Sequence, residues 1–210
     1  MRTATMRPSS ILRTGLVLVA CAFPALAGAQ QRSTAGPRAL SAGLGGGGVV
    51  PVGDFANDVK TGWQVNGHVQ YQPAAEGPWA VRAEALYTRS NLTDDAINAG
   101  GGLPDQKWTS SILYAGVAAP YFISGRAGTV RPYVIGGLGL YSQTVKFEDT
   151  SGVTQSTTES GFGFSGGAGI RFGRATAFFV EARFHQFSIT PEGGEKSTGQ
   201  FIPVSFGFTF

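Results

Sequence analysis

The stretch Gln200-Phe-Ile-Pro-Val-Ser-Phe-Gly-Phe-Thr-Phe210 alternates along its whole length. Ile202, Val204, Phe206, Phe208 and Phe210 fall on one face; Phe201, Pro203, Ser205, Gly207 and Thr209 fall on the other. A period of two, rich in aromatic and β-branched residues, predicts a strand with one strongly apolar face. In water, such a strand ending on an aromatic residue is a sticky, unprotected edge. In a closed membrane barrel it pairs with the first strand, and its aromatic end meets the bilayer boundary. A terminal strand of a soluble sandwich is the alternative, and the rest of the chain decides between them.

Composition leans toward the membrane. Charged residues make up 14% of the 210-residue chain, against about 25% in ordinary soluble domains. Three of the 16 basic residues, Arg2, Arg7 and Arg13, lie in the first 29 positions, which hold no acid. The remainder balances at 13 basic against 13 acidic groups, so the overall charge of +3 gives no reason to expect a nucleic-acid partner. Residues 1–29 read as a secretory signal peptide: a basic start, an apolar run from Gly15 to Leu26, and the small-residue exit Ala27-Gly28-Ala29. Leu18-Val19-Ala20-Cys21 resembles a lipoprotein cleavage box, but the apolar run continues past it to the Ala-Gly-Ala site. Cys21 is the one cysteine, so the processed chain is expected to carry no disulfide or thiol chemistry. No later segment offers the roughly 18 uninterrupted apolar residues of a membrane helix. Residues 30–39 read as a short periplasmic lead-in, and 40–210 as one barrel domain.

Eight strands are predicted. The first, Leu40 to Pro51, runs through the glycines Gly45 to Gly48, which bend the wall or make room for bulky lumen neighbours. The second, Gly62 to Tyr71, sets Trp63, Val65, Gly67, Val69 and Tyr71 against Gln64, Asn66, His68 and Gln70. The third, Trp79 to Arg89, sets Trp79, Val81, Ala83, Ala85 and Tyr87 against Arg82, Glu84 and Thr88. The fourth spans Trp108 to Tyr121, with faces that are hard to separate, and the fifth spans Arg131 to Tyr141. In the sixth, Phe162, Phe164, Ala168, Ile170 and Phe172 oppose glycines, Ser165 and Arg171. In the seventh, Phe178, Val180, Ala182 and Phe184 oppose Glu181, Arg183 and His185. The opening stretch is the eighth.

The connections alternate in length. Polar loops are expected at Gly53–Lys60, Ser90–Gln106, Lys146–Ser160 and Pro191–Gly199, with tight turns at Pro73–Pro78, Ser124–Thr129 and Gly173–Thr176. Short turns on one rim and longer loops on the other are the pattern of outer-membrane barrels, with both termini on the short-turn side. Trp63, Trp79, Trp108, Tyr71, Tyr87, Tyr121, Tyr133 and Tyr141 fall near strand ends, as interfacial girdles require, and Tyr114 sits mid-strand. A soluble barrel also alternates, but its outer wall must be charged. Here the lysines Lys60, Lys107, Lys146 and Lys196 lie in the outer loops or at their edges, and strand charges are few. The apolar face is therefore expected to meet lipid, in an all-β, eight-stranded, antiparallel up-and-down transmembrane barrel.

Four stretches carry a family likeness: Val49-Val-Pro-Val-Gly-Asp-Phe55, Arg131-Pro-Tyr-Val-Ile-Gly-Gly-Leu-Gly-Leu-Tyr141, Glu181-Ala-Arg-Phe184 and the terminal strand. With them the chain resembles the small eight-stranded outer-membrane barrels, the group that includes the membrane domain of outer-membrane protein A and related porin-like barrels. The resemblance implies residence in the bacterial outer membrane, among its lipids and lipopolysaccharide; the oligomeric state stays open, with a monomer favoured. The alternating aromatics Phe206, Phe208 and Phe210 resemble the assembly signal read by the barrel-assembly machinery. The motifs specify architecture and say little about activity.

Chemistry is sparse. His68 and His185 are the only histidines, and no cluster with metal-ligand spacing exists, so no metal or other cofactor is expected. Some barrels of this size modify lipid A with a His/Ser/acid set, which directs attention to His185, Ser188 and Glu192. Three residues apart on a strand, His185 and Ser188 point to opposite faces about 10 Å apart, too far for a nucleophile and its base. The glycine run lacks the lysine and helix of a phosphate loop. The outer-loop acids read as solvated charges rather than cation sites.

The polar residues Gln64, Asn66, His68, Gln70, Arg82, Glu84, Arg171, Glu181 and Arg183 are the candidate lumen network. If Trp79 and Phe178 mark one girdle level, Arg82 stands at the height of Glu181, and Glu84 at that of Arg183. Either these charges meet across the lumen, or each pairs with a strand neighbour or with water. A narrow lumen filled by side chains favours a structural or surface-interaction role, with a small pore or transporter for tiny or apolar solutes as the alternative.

Overall fold

The computed structural model describes residues 40–73, 77–102, 106, 108–123, 129–148, 154–173, 176–189 and 196–210. The expected signal peptide, its Cys21 and the lead-in at 30–39 lie outside the described residues. The barrel consists of β1 (Leu40–Pro51), β2 (Gly62–Tyr71), β3 (Val81–Asn91), β4 (Thr109–Phe122), β5 (Val130–Glu148), β6 (Thr154–Gly173), β7 (Ala177–Ile189) and β8 (Ser197–Thr209). Each strand pairs antiparallel with its chain neighbour, and β8 closes on β1. Closure removes both sheet edges within the wall, the condition for a sheet to exist in lipid.

Alternation sorts the faces. On β2, Gln64, His68 and Gln70 are buried inward while Trp63, Val65 and Tyr71 are exposed. On β8, Phe201 is fully buried in the lumen, and Phe206, Phe208 and Phe210 are about half exposed on the wall. Leu138, Leu140, Phe162, Phe164 and Val134 continue that apolar outer wall on β5 and β6. An apolar band of this kind around a closed barrel is the lipid-facing wall of a membrane barrel.

The long connections are more ordered than their polarity suggests. The β1–β2 connection holds the short helix α1 (Phe55–Asp58), and the β3–β4 connection holds α2 (Asp94–Ala99), whose N-terminus is capped by the Thr93 hydroxyl. The two connections dock: the backbone N–H of Thr93 donates to Asp58, that of Lys60 donates to Asn91, and Lys60 pairs with Asp94 at 3.1 Å. Helices this short carry too little periodicity to be read from the sequence.

Two expectations need correction. The described parts of Lys146–Ser160, residues 146–148 and 154–160, are strand and not open loop: β5 and β6 stay paired from Ser142↔Ser160 to Glu148↔Thr154, past the end of β7. Tyr133 and Tyr141 are not girdle residues. Both are buried inside the barrel, because they share strand parity with the inward-facing Arg131 and Ile135. Trp63 with Tyr87, and Trp79 with Tyr121, do form outward-facing aromatic pairs, at 5.7 and 4.7 Å between centroids.

Candidate functional site

Among the described residues of the wall, charged side chains come together in the lumen. Arg82 and Glu84 are successive inward positions on β3, and Glu181 and Arg183 on β7, halfway round an eight-strand barrel. Arg82 Nη1 donates to Glu181 Oε2 at 2.8 Å. Arg183 grips Glu84 with two parallel bonds of 2.7 Å, the fork geometry that makes arginine–carboxylate pairs strong. A 3.5 Å contact between Arg183 and Glu181 joins the pairs into one chain of alternating sign. All four side chains are nine-tenths or more buried.

Charges taken out of water need every remaining lone pair and N–H satisfied. Tyr133 Oη donates to Glu181 at 2.7 Å, and Tyr114 Oη donates to Glu84 at 2.8 Å. Gln70 Oε1 accepts from Arg82 Nε and Nη2, and the Ser165 hydroxyl accepts from Arg183 Nη2, while Arg183 Nε has no hydrogen-bond partner among the described residues. Sequence reasoning did not assign Tyr114 or Tyr133 to the lumen, and placed Ser165 on the polar face without joining it to the network. The signal in the sequence was a glycine on a neighbouring strand: the structure seats the Tyr114 ring over Gly139 and the Tyr133 ring over Gly169, where any Cβ would clash.

The other candidate residues flank this belt. Gln64 and Asn66 both donate to the Ser205 hydroxyl, at 2.8 and 3.0 Å, and Asn66 also donates to Gln64. His68 meets the Phe179 ring edge-on at 5.6 Å. Arg171 faces inward nearer the short-turn rim, in register with Arg131 and Phe179, outside the chain of four charges. His185 Nδ1 lies 2.8 Å from Tyr141 Oη, and its ring stacks on Phe201. Ser188 points to the outer wall, so the pair weighed for lipid A chemistry is split by the sheet.

The lumen is not filled by polar groups alone. Toward the long-connection rim, Val49, Leu86, Ile112, Tyr141, Phe187, Ile189 and Phe201 form an apolar plug, and Phe55 of α1 lies edge-on against Phe187 at 6.3 Å. Toward the short-turn rim, Ala80, Ala118, Phe122, Tyr133 and Ile135 form a second plug, with Arg131 seated 4.0 Å over the Phe122 ring. Between them a cavity of about 30 Å³ touches Asn66, His68, Glu84 and Arg183, room for about two waters. Among the described residues no group of three or more metal-ligating side chains occurs.

Known proteins place this architecture. The structure is similar to that of Neisserial surface protein A from Neisseria, with a TM-score of 0.53, 13% identity, and coverage of 82% of this chain and 96% of that one. It is likewise similar to a major outer membrane protein from Thermus thermophilus, with a TM-score of 0.54, 13% identity, and coverage of 82% and 99%. At that identity the likeness concerns the fold. No curated protein sequence matches the chain. The outer membrane protein beta-barrel domain family matches residues 15–210, nearly the whole sequence. A closed eight-strand barrel with a lipid-facing apolar wall thus agrees with the sequence match, and the chain belongs to the outer membrane protein beta-barrel domain family.

Proposed function

We propose that this outer-membrane barrel acts through its external surface and not as a conduit. The observation that carries the reading is the β5–β6 hairpin. Seven rungs, Ser142↔Ser160 to Glu148↔Thr154, extend past Ile189, where β7 ends opposite Gly161. Among the described residues β6 has no strand on its far side there, so Thr154–Ser160 offers an edge about 23 Å long at 3.3 Å per residue. Trp108 braces the hairpin against Phe147 at 5.0 Å, and the Thr144 and Thr158 hydroxyls bond across it at 2.9 Å. A stiff, polar, exposed edge is suited to contact with another surface.

In this reading residues 1–29 direct export and are removed, and the assembly machinery folds the barrel among lipids and lipopolysaccharide as a monomer. The plugged lumen speaks against the pore alternative, and the separation of His185 from Ser188 against lipid A chemistry. The test replaces residues 144–158 with an Asn-Gly turn and compares adherence of expressing cells to a serum-protein-coated surface. Adherence should fall to that of cells lacking the protein, while the heat-dependent gel shift of a folded barrel persists. Equal adherence with and without the hairpin contradicts the reading.

A further inference from the structure

The outer wall carries a groove that neither the lumen nor the hairpin explains. It lies where β6 meets β7, has a volume of about 420 Å³, and is walled by Leu138, Phe162 and Phe164 on one side and Gln186, Ser188 and Lys196 on the other. That volume falls within the range of small-molecule sites.

Its position follows from the strand pattern. On β7 the outward residues Phe178, Val180, Ala182 and Phe184 are apolar, and the next two, Gln186 and Ser188, are polar. Their rung partners on β6 are Phe164 and Phe162, still apolar. The switch from apolar to polar along β7, with Lys196 just before β8, places the groove at the outer limit of the lipid-facing wall, with aromatic and aliphatic surface from β5 and β6 and hydrogen-bonding groups from β7. Gln186 is held in place by the amide of Gln200, which donates to it at 2.9 Å. Lys196, exposed just before β8 begins, is the one charged side chain lining the groove among the described residues.

We infer that this groove binds one outer-leaflet glycolipid with a phosphorylated sugar head and several acyl chains. An acyl chain lies along Leu138, Phe162 and Phe164. Sugar hydroxyls and amide-linked acyl carbonyls meet Gln186 and Ser188, and a head-group phosphate meets the Lys196 ammonium. A phosphate beside a cation at the membrane surface is the charge complement the groove offers. The inference is independent of the role given to the hairpin, which lies beyond the groove.

The test reconstitutes the purified barrel in nanodiscs of phosphatidylethanolamine and phosphatidylglycerol doped with a phosphorylated, acylated diglucosamine lipid. Lipid retained after transfer to detergent is counted by native mass spectrometry. The unaltered protein should keep one glycolipid, at least tenfold in preference to phosphatidylglycerol. Lys196→Glu should lower retention about tenfold and Ser188→Ala severalfold. Lys60→Glu, in the connection leading into β2 and outside the groove, should leave retention unchanged. Both altered sites are on the outside of the barrel, and the heat-dependent gel shift verifies folding of each variant. Retention of phosphatidylglycerol equal to glycolipid, no retained glycolipid, or retention unaffected by Lys196→Glu would each overturn the inference.

Discussion

Arg82 on β3 and Glu181 on β7, 99 positions apart in the chain, meet across the lumen at 2.8 Å. The contact ties opposite walls of the barrel. Together with Arg183 and Glu84 it makes the lumen a salt-bridged partition and not a water column.

Breaking that tie from one side leaves a buried charge uncompensated. Arg82→Met or Glu181→Gln should each cost about 3–5 kcal/mol, and the double variant should cost clearly less than their sum. Urea unfolding in lipid, analysed as a double-mutant cycle, reads the coupling. A coupling energy of zero would mean the two groups act independently.

Gly169 should resist even the smallest side chain. An added Cβ would come within 2.5 Å of the Tyr133 ring and 2.8 Å of the Val180 carbonyl, so either Tyr133 or the β6–β7 backbone must shift. Gly169→Ala is expected to cost about 1–3 kcal/mol, the range for overpacking a tight core. Moving Tyr133 also removes its bond to Glu181, so Tyr133→Phe in the same background should add little. Full additivity of the two changes would show that they do not share this contact.

The seam between β1 and β8 separates two roles for Phe210. Its backbone N–H donates to Ala42 and its carbonyl accepts from Ala42, at 2.8 and 2.9 Å. Deleting Phe210 removes these bonds and the ring together, whereas Phe210→Ala removes the ring alone. If the ring is what the assembly machinery reads, both changes should reduce the yield of inserted barrel comparably and leave export intact. A normal yield from Phe210→Ala would assign the effect of deletion to the seam.

The apolar face is tested within one strand. Val134 lies inside the outward apolar run of β5, and Val130 begins that strand at the short-turn rim. Val134→Arg should cost about 2–4 kcal/mol and Val130→Arg about 0–1, following the depth dependence of charges facing lipid. Unfolding free energies in bilayers of fixed composition measure both. Equal small costs would place β5 outside the hydrocarbon.

Legibility in the sequence followed the contrast between faces. The limits of β1 and β2, Leu40–Pro51 and Gly62–Tyr71, agree with the structure; on β2 an unbroken apolar series faces an unbroken polar one. The far end of the β5–β6 hairpin escaped because Thr154–Ser160 is polar on both faces and has no period to detect. Tyr133 and Tyr141 were misplaced because nearness to a strand end was weighed above parity, although both lie an even number of residues from Arg131. The heights of Arg82, Glu84, Glu181 and Arg183 could be reasoned from the aromatic girdle. Their partners Tyr114, Tyr133 and Ser165 come from three further strands, and which side chains converge in a lumen depends on register that a single strand does not encode.

The central claim is that the lumen is closed, so that function resides on the outer surface. Single-channel recording of the unaltered protein in planar bilayers tests it most directly. Two apolar plugs flanking a salt-bridged charge belt predict a silent membrane, with no stepwise conductance in molar potassium chloride. A stable open channel in the unaltered protein would contradict the account and restore the pore.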